Sequence, residues 1–162
     1  MAATLLSTRM AIVCCVMAMC CQTGCDEERG TVPTVEFRVH GASQELGEDA
    51  AIPDGWTVAT TIIKGRERRY AVTPEPFLTE AHVLQMAPTP NEGVVTVALT
   101  AEGASHLKDY TGNHVRERVG IRFNGRWVCF PMVMVQIPGG RMPMLNLTEA
   151  EVELALSAWP DR

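Results

Sequence analysis

The residues that could do chemistry in this 162-residue chain are six cysteines, four histidines and nineteen carboxylates. His40, His82, His106 and His114 fall on four separate predicted elements, with neither HxxxH nor HExxH spacing, so they are not expected to share a metal. Glu102 and His106, four apart, read as a pair on one helix face. Cys14, Cys15, Cys20, Cys21 and Cys25 crowd the N-terminus, and Cys129 stands alone. A lone cysteine in a strand pattern reads first as a small hydrophobe. Glu149, Glu151 and Glu153 open a predicted helix, where carboxylates favour the dipole. No GxSxG, phosphate loop or CxxC is present, and Gly139-Gly140 lacks the lysine and helix of a nucleotide loop. The expectation is therefore no catalytic residue, no metal and no cofactor. What remains is a recognition pair, Arg122 and Trp127, and a methionine set, Met132, Met134, Met142 and Met144, read mainly as core.

Arg122 and Trp127 flank Asn124-Gly125, the dipeptide that most favours a two-residue hairpin because both central residues take positive φ. Val119, Ile121 and Phe123 alternate on one side, and Val128 and Phe130 on the other, until Pro131 stops the ladder. A two-residue turn sets Phe123 against Arg126, Arg122 against Trp127, Ile121 against Val128, Gly120 against Cys129 and Val119 against Phe130. One face then carries Val119, Ile121, Phe123, Val128 and Phe130 into the core. The other carries Arg122, Trp127 and Cys129 beside a bare glycine, either open to solvent or covered by the N-terminal strands.

The charge balance excludes one class of partner. Net charge is −5, and removing residues 1–24 takes Arg9 and no acid, leaving 13 bases against 19 acids. No basic stripe is available to neutralise phosphates, so nucleic acid is not expected. Lys64 to Arg69, interrupted by Gly65 and Glu67, reads as a solvated turn.

Arg9 precedes an apolar run from Met10 to Cys21, too short for the roughly 20 residues that span a bilayer and suited to a secretory signal. Gln22-Thr23-Gly24-Cys25 resembles a bacterial lipobox, with Gln22 departing from the usual aliphatic residue. Cys25 is then the expected lipidation site. Asp26 after it favours retention at the inner membrane, on the periplasmic side. Ordinary cleavage near Thr23, giving a soluble periplasmic protein, is the alternative.

The organisation expected is signal 1–24, tether 25–33, an N-terminal β segment 34–72 and an α+β domain 73–162. Val35, Phe37 and Val39 make an edge-like strand, 41–55 a loop, and Trp56–Ile63 with Arg68–Val72 a hairpin across Lys64-Gly65. Thr79 caps a short helix to about Met86, stapled by Leu78 and Val83. Val94–Leu99 is a strand, and Thr100 caps a helix to about Thr111 with Ala104, Leu107 and Tyr110 or Thr111 inward. After the central hairpin, Pro143 confines Arg141–Leu145 to an edge or bulge. Thr148 and Glu151 form a capping box for a last helix with Val152, Ala155, Leu156 and Trp159 inward. The order predicts an α+β fold with helices on one face of a mostly antiparallel sheet, ferredoxin-like, plus a small N-terminal β extension.

These pieces resemble a family. Pro76-Phe77-Leu78-Thr79, Val95 to Leu99, Glu102-Gly103-Ala104 with Thr111 and Asn113, and Val119–Phe123 with Asn124-Gly125 fall in the order found in the head of the first periplasmic region of SecD. SecD is an auxiliary subunit of the preprotein translocase. Phe130 to Val133, Ile137 with Gly139-Gly140, and Leu147 to Ala150 continue the series, and Val35 to Arg38 is similar to the family's opening strand. The stretch from Gly140 to Thr148 is about one residue short of the pattern. SecD continues into membrane helices that couple proton flow to movement, whereas this sequence stops at Arg162. The resemblance implies the fold and contact with unfolded chains, without the motor.

Two functions follow. The first is a non-enzymatic, membrane-tethered periplasmic domain that contacts polypeptides or secretion partners through Arg122 and Trp127. The second is a small thiol or hydrolytic enzyme using Cys129 with a histidine.

Overall fold

The computed structural model describes residues 35–160, so the signal, Cys25 and the tether lie outside the described residues. Nine strands and two helices follow in order. They are β1 (Phe37–Glu45), β2 (Thr57–Ile63), β3 (Arg66–Val72), β4 (Leu78–Thr79), β5 (Val83–Pro88), β6 (Val95–Leu99), α1 (Ala101–Asn113), β7 (Arg118–Phe123), β8 (Arg126–Cys129), β9 (Arg141–Met144) and α2 (Glu149–Ala158). The class is α+β and the pairing antiparallel.

The strands divide between two sheets where one was expected. The larger runs β2-β3-β1-β7-β8, with β4 also on β1; the smaller runs β5-β6-β9. These orders do not describe the ferredoxin-like arrangement. The larger sheet curls until β2 meets β8, where Thr61 donates its hydroxyl to the Trp127 carbonyl at 2.9 Å. The near-barrel so formed encloses a small second core of Ala42, Ala59, Tyr70, Val72 and Phe130. Tyr70 and Phe130 stack there at 4.0 Å.

The main core lies on the other side of β1 and β7. Phe37, Val39, Ile121, Phe123 and Val128 are wholly buried, together with Met86, Val95, Val97 and Met144 of the smaller sheet. β1 is no edge. It pairs with β7 from Phe37↔Phe123 to Ala42↔Arg118 and with β3 and β4 on its other side. It also runs on through Gly41–Glu45, which the sequence presents as loop. Gly41 is tolerated in a central strand because the Tyr110 hydroxyl occupies the place of a Cβ.

A second correction concerns Thr79. It caps a single 3-10 turn, Glu80–His82, with its N–H donated to His82 Nδ1 at 3.0 Å. The chain then becomes β5 instead of continuing as helix. Val83 pairs with Leu99 and Met86 with Val97, so the strand buries two apolar side chains and gains a ladder. That tertiary pairing outweighs the helix preference of Leu84, Gln85 and Met86.

The remaining elements follow local chemistry. Thr100 caps α1, accepting from the Gly103 N–H at 3.2 Å, and Gly103, Leu107 and Thr111 are its buried residues. Tyr110 sits half-buried in a stack, 3.9 Å from Phe77 and 4.1 Å from His114. Pro143 lies in β9 at the edge of the smaller sheet, where its missing N–H costs no ladder bond. Thr148 and Glu151 close the capping box of α2. Arg126 grips Glu151 bidentately at 2.8 and 2.5 Å and the Asn146 carbonyl at 2.9 Å, tying the helix start to the hairpin.

Candidate functional site

The central hairpin forms around Asn124 (φ 45°) and Gly125 (φ 83°), both in the left-handed region a tight turn demands. Phe123↔Arg126 and Arg122↔Trp127 pair as the turn predicts, but Ile121 then pairs with Cys129. Val128 is therefore the extra residue of a β-bulge. The bulge changes which face the later residues occupy. Val128 and Cys129 both enter the main core, and Phe130 turns to the second core beside Trp127. The expectations that Phe130 shares a face with Ile121 and that Cys129 lies beside Trp127 are corrected accordingly.

Gly120 is not left bare. A Cβ there would lie 2.7 Å from the Phe130 ring and 3.0 Å from Trp127. Trp127 is half-buried, its ring 5.5 Å from Phe130 and 5.2 Å from His40 edge-on. The Arg122 guanidinium stands 6.0 Å from the Trp127 centroid, a cation–π pair. The alternatives of an open face and a covered one thus divide the surface between them. β2 covers the Phe130 end, and the Arg122 end stays accessible, with over a third of that side chain exposed (36%).

Register across the sheet continues the row. Arg38 on β1 pairs with Arg122, and Thr79 on β4 with Arg38. Like charges placed directly opposite repel. Glu36 answers both, its Oε1 being 3.2 Å from Arg38 Nε and 3.3 Å from Arg122 Nη1. His40 follows on the same face, 94% buried, with Nδ1 at 2.8 Å from the Thr73 carbonyl. Burial lowers its pKa from the ordinary histidine value, with Arg38 and Arg122 adding to the effect. The imidazole is therefore neutral at pH 7, and its Nδ1–H donates to Thr73.

Residues 57–156 match the family model described as the P1 head subdomain of SecDF. The chain belongs to that family. Two solved structures share the fold. One is described as a membrane component SecDF that enhances protein export, at 15% identity and TM-score 0.54, covering 77% of this chain and 63% of that one. The other is SecDF in a super-membrane-facing form, at 17% identity and TM-score 0.54, covering 77% and 19%. The chain spans less than two thirds of either protein. No curated protein matches it.

Within this SecDF-head fold the thiol chemistry has no footing. Cys129 is 3% exposed, and burial pushes its pKa up to about 11, so the sulfur stays protonated and covered at neutral pH. His82 and His106, far apart in sequence, come to 5.1 Å because Gly103 lets the 3-10 turn pack on α1. Among the described residues no three metal-ligating side chains gather, and no helix is long and apolar enough to cross a membrane. The methionine set splits. Met142 and Met144 are core, whereas Met132 and Met134 are exposed beside an apolar groove of about 260 Å³ over Leu107 and Val119.

The sequence placed Arg122 opposite Trp127, as the register has them, without revealing Glu36, Arg38 and His40 as their neighbours. The alternation Glu36, Arg38, His40 opposite Phe37 and Val39 was the available signal. Taking β1 for an edge hid its contact with β7.

Proposed function

We propose that this chain is a membrane-tethered, extracytoplasmic domain of the SecDF-head kind that contacts extended polypeptide and performs no catalysis. The observation that carries this reading is the Arg122–Trp127 pair, an accessible guanidinium over a half-buried indole beside the second core of a SecDF-head sheet. Arginine and tryptophan are enriched at binding hot spots, and an indole stacks on side chains of many kinds. A chain in transit, or a protein of the secretion machinery, is the partner proposed.

Titrating a labelled, permanently unfolded polypeptide against the full chain tests the reading. Arg122→Ala weakens binding by about 2 kcal/mol, as does Trp127→Ala where it stays folded. Unchanged binding by both folded variants moves the site elsewhere.

The tether is proposed to be lipid on Cys25. A bacterial lipoprotein carries more than one acyl chain, and two hold a protein at a membrane where one binds marginally. Cys25→Ser is expected to release the protein or leave an uncleaved precursor. Membrane association of the variant that resists carbonate would refute the anchor.

A further inference from the structure

The row Thr79, Arg38, Arg122 and Trp127 runs straight across β4, β1, β7 and β8. Its charges do not balance. Two guanidinium groups share one carboxylate, Glu36, whose Oε1 lies 3.2 and 3.3 Å from them. The ion pairs are also poorly directed. Among the described residues, five buried side-chain polar atoms have no aligned hydrogen-bond partner. Three of these, Glu36 Oε1 just before β1 and Arg38 Nε and His40 Nε2 on it, lie side by side, and of the three only Arg38 Nε is a donor. An unsatisfied buried donor is uncommon in folded proteins, and Arg38 Nε marks a guanidinium whose acceptors are incomplete. Burial chiefly lowers the pKa of the neighbouring His40, and the charges of Arg38 and Arg122 act in the same direction against the Thr73 hydrogen bond.

We propose that Arg38 and Arg122 form a carboxylate-accepting site, so that the polypeptide bound at Trp127 is selected for an aspartate or glutamate. This rests on the polypeptide-contact reading above and names its substrate class. Guanidinium groups bind carboxylate through paired, charge-assisted hydrogen bonds that a single shared Glu36 oxygen does not supply. An incoming acidic side chain takes those donors and relieves the repulsion between Arg38 and Arg122. The neighbouring residue of the peptide lies on the Trp127 ring. Glu36 then acts as an internal competitor, holding the two arginines in place and giving way to a better-directed carboxylate. Selection operates within a protein whose own net charge is −5, so attraction comes from this local pair and not from the overall field.

The test uses the full chain and two extended peptides with capped ends, identical except for a central Asp or Asn. Fluorescence anisotropy is expected to show the Asp peptide binding about tenfold more tightly, the worth of one charged hydrogen-bond set. Arg38→Gln erases the preference, with folding checked by circular dichroism, and Arg38→Lys, which keeps the charge without the fork, restores part of it. Glu36→Gln is the sharper variant, because removing the competitor should raise affinity for the Asp peptide above that of the unmodified chain. Equal binding of the two peptides overturns the carboxylate site and leaves the polypeptide reading standing. Failure of both peptides to bind overturns the two together. Displacement of both peptides by phosphatidylglycerol, without any Asp over Asn preference, assigns the arginines to a lipid phosphate and also overturns the proposal.

Discussion

Phe130 packs on the bare α-carbon of Gly120, where a methyl group would fall 2.7 Å from its ring. That contact exists because the Val128 bulge rotates Phe130 out of the main core and onto the face of Trp127. The bulge thus joins the two cores. It keeps Val128 and Cys129 inside, and it gives Trp127 an aromatic backing that leaves the Arg122 side free.

Gly120→Ala is therefore expected to destabilise the protein, although alanine has the higher strand tolerance. A methyl inserted against two rings forces them apart at a cost of about 1–3 kcal/mol. A thermal melt should show a loss of several degrees. Gly139→Ala serves as the control, because its Cβ would meet nothing within 4 Å and its φ is not positive. Equal melts for the two variants would mean that Phe130 does not sit where described.

Much of this architecture was legible in local signals. Asn124-Gly125, the Thr148–Glu151 capping box, Thr100 as a cap and Pro143 at an edge each act within a few residues, and each forms as its chemistry dictates. What escaped depends on distant partners. β5 is a strand because Val83 and Met86 meet Leu99 and Val97, which no local preference of Leu84–Met86 reports. Gly41–Glu45 resembles a loop until Tyr110 explains the glycine. The Val128 bulge leaves no mark on the alternation of apolar residues, so the later face assignments failed although the turn was right. The Arg122–Trp127 pair was visible because a two-residue turn fixes it; Glu36, Arg38 and His40 needed the register of β1 on β7.

Cys129 should resist alkylation. Its thiol is buried with the pKa raised to about 11, so almost no thiolate exists at neutral pH. Iodoacetamide on the folded protein at pH 7.5 is expected to leave it unmodified, and denaturant to expose it fully, as peptide mass mapping would show. Rapid stoichiometric labelling of the folded chain at this residue would revive the thiol-enzyme reading.

Acidification should weaken the fold through His40. Its folded pKa lies below the unfolded value of about 6.5, so the unfolded chain binds the proton more readily. The stability conferred by keeping the imidazole neutral is full above about pH 6.5 and is lost as pH falls through the lowered folded pKa. Denaturant midpoints measured from pH 7.5 to 5 should fall, and His40→Gln should flatten the decline. Glu151 also has a lowered pKa, chiefly from its hydrogen bonds to Arg126, but it loses its contribution only below the ordinary carboxylate range. A decline that persists unchanged in the His40 variant would assign it to other groups.

Trp127 can report its own contacts. Replacing Trp56 and Trp159 by phenylalanine leaves it as the single tryptophan of the chain. Titration with an unfolded polypeptide lacking tryptophan should then shift or quench its emission saturably, with the same midpoint as binding followed by anisotropy. Binding by anisotropy with no change in Trp127 emission would contradict the account, since the polypeptide would then be held somewhere other than the Arg122–Trp127 face.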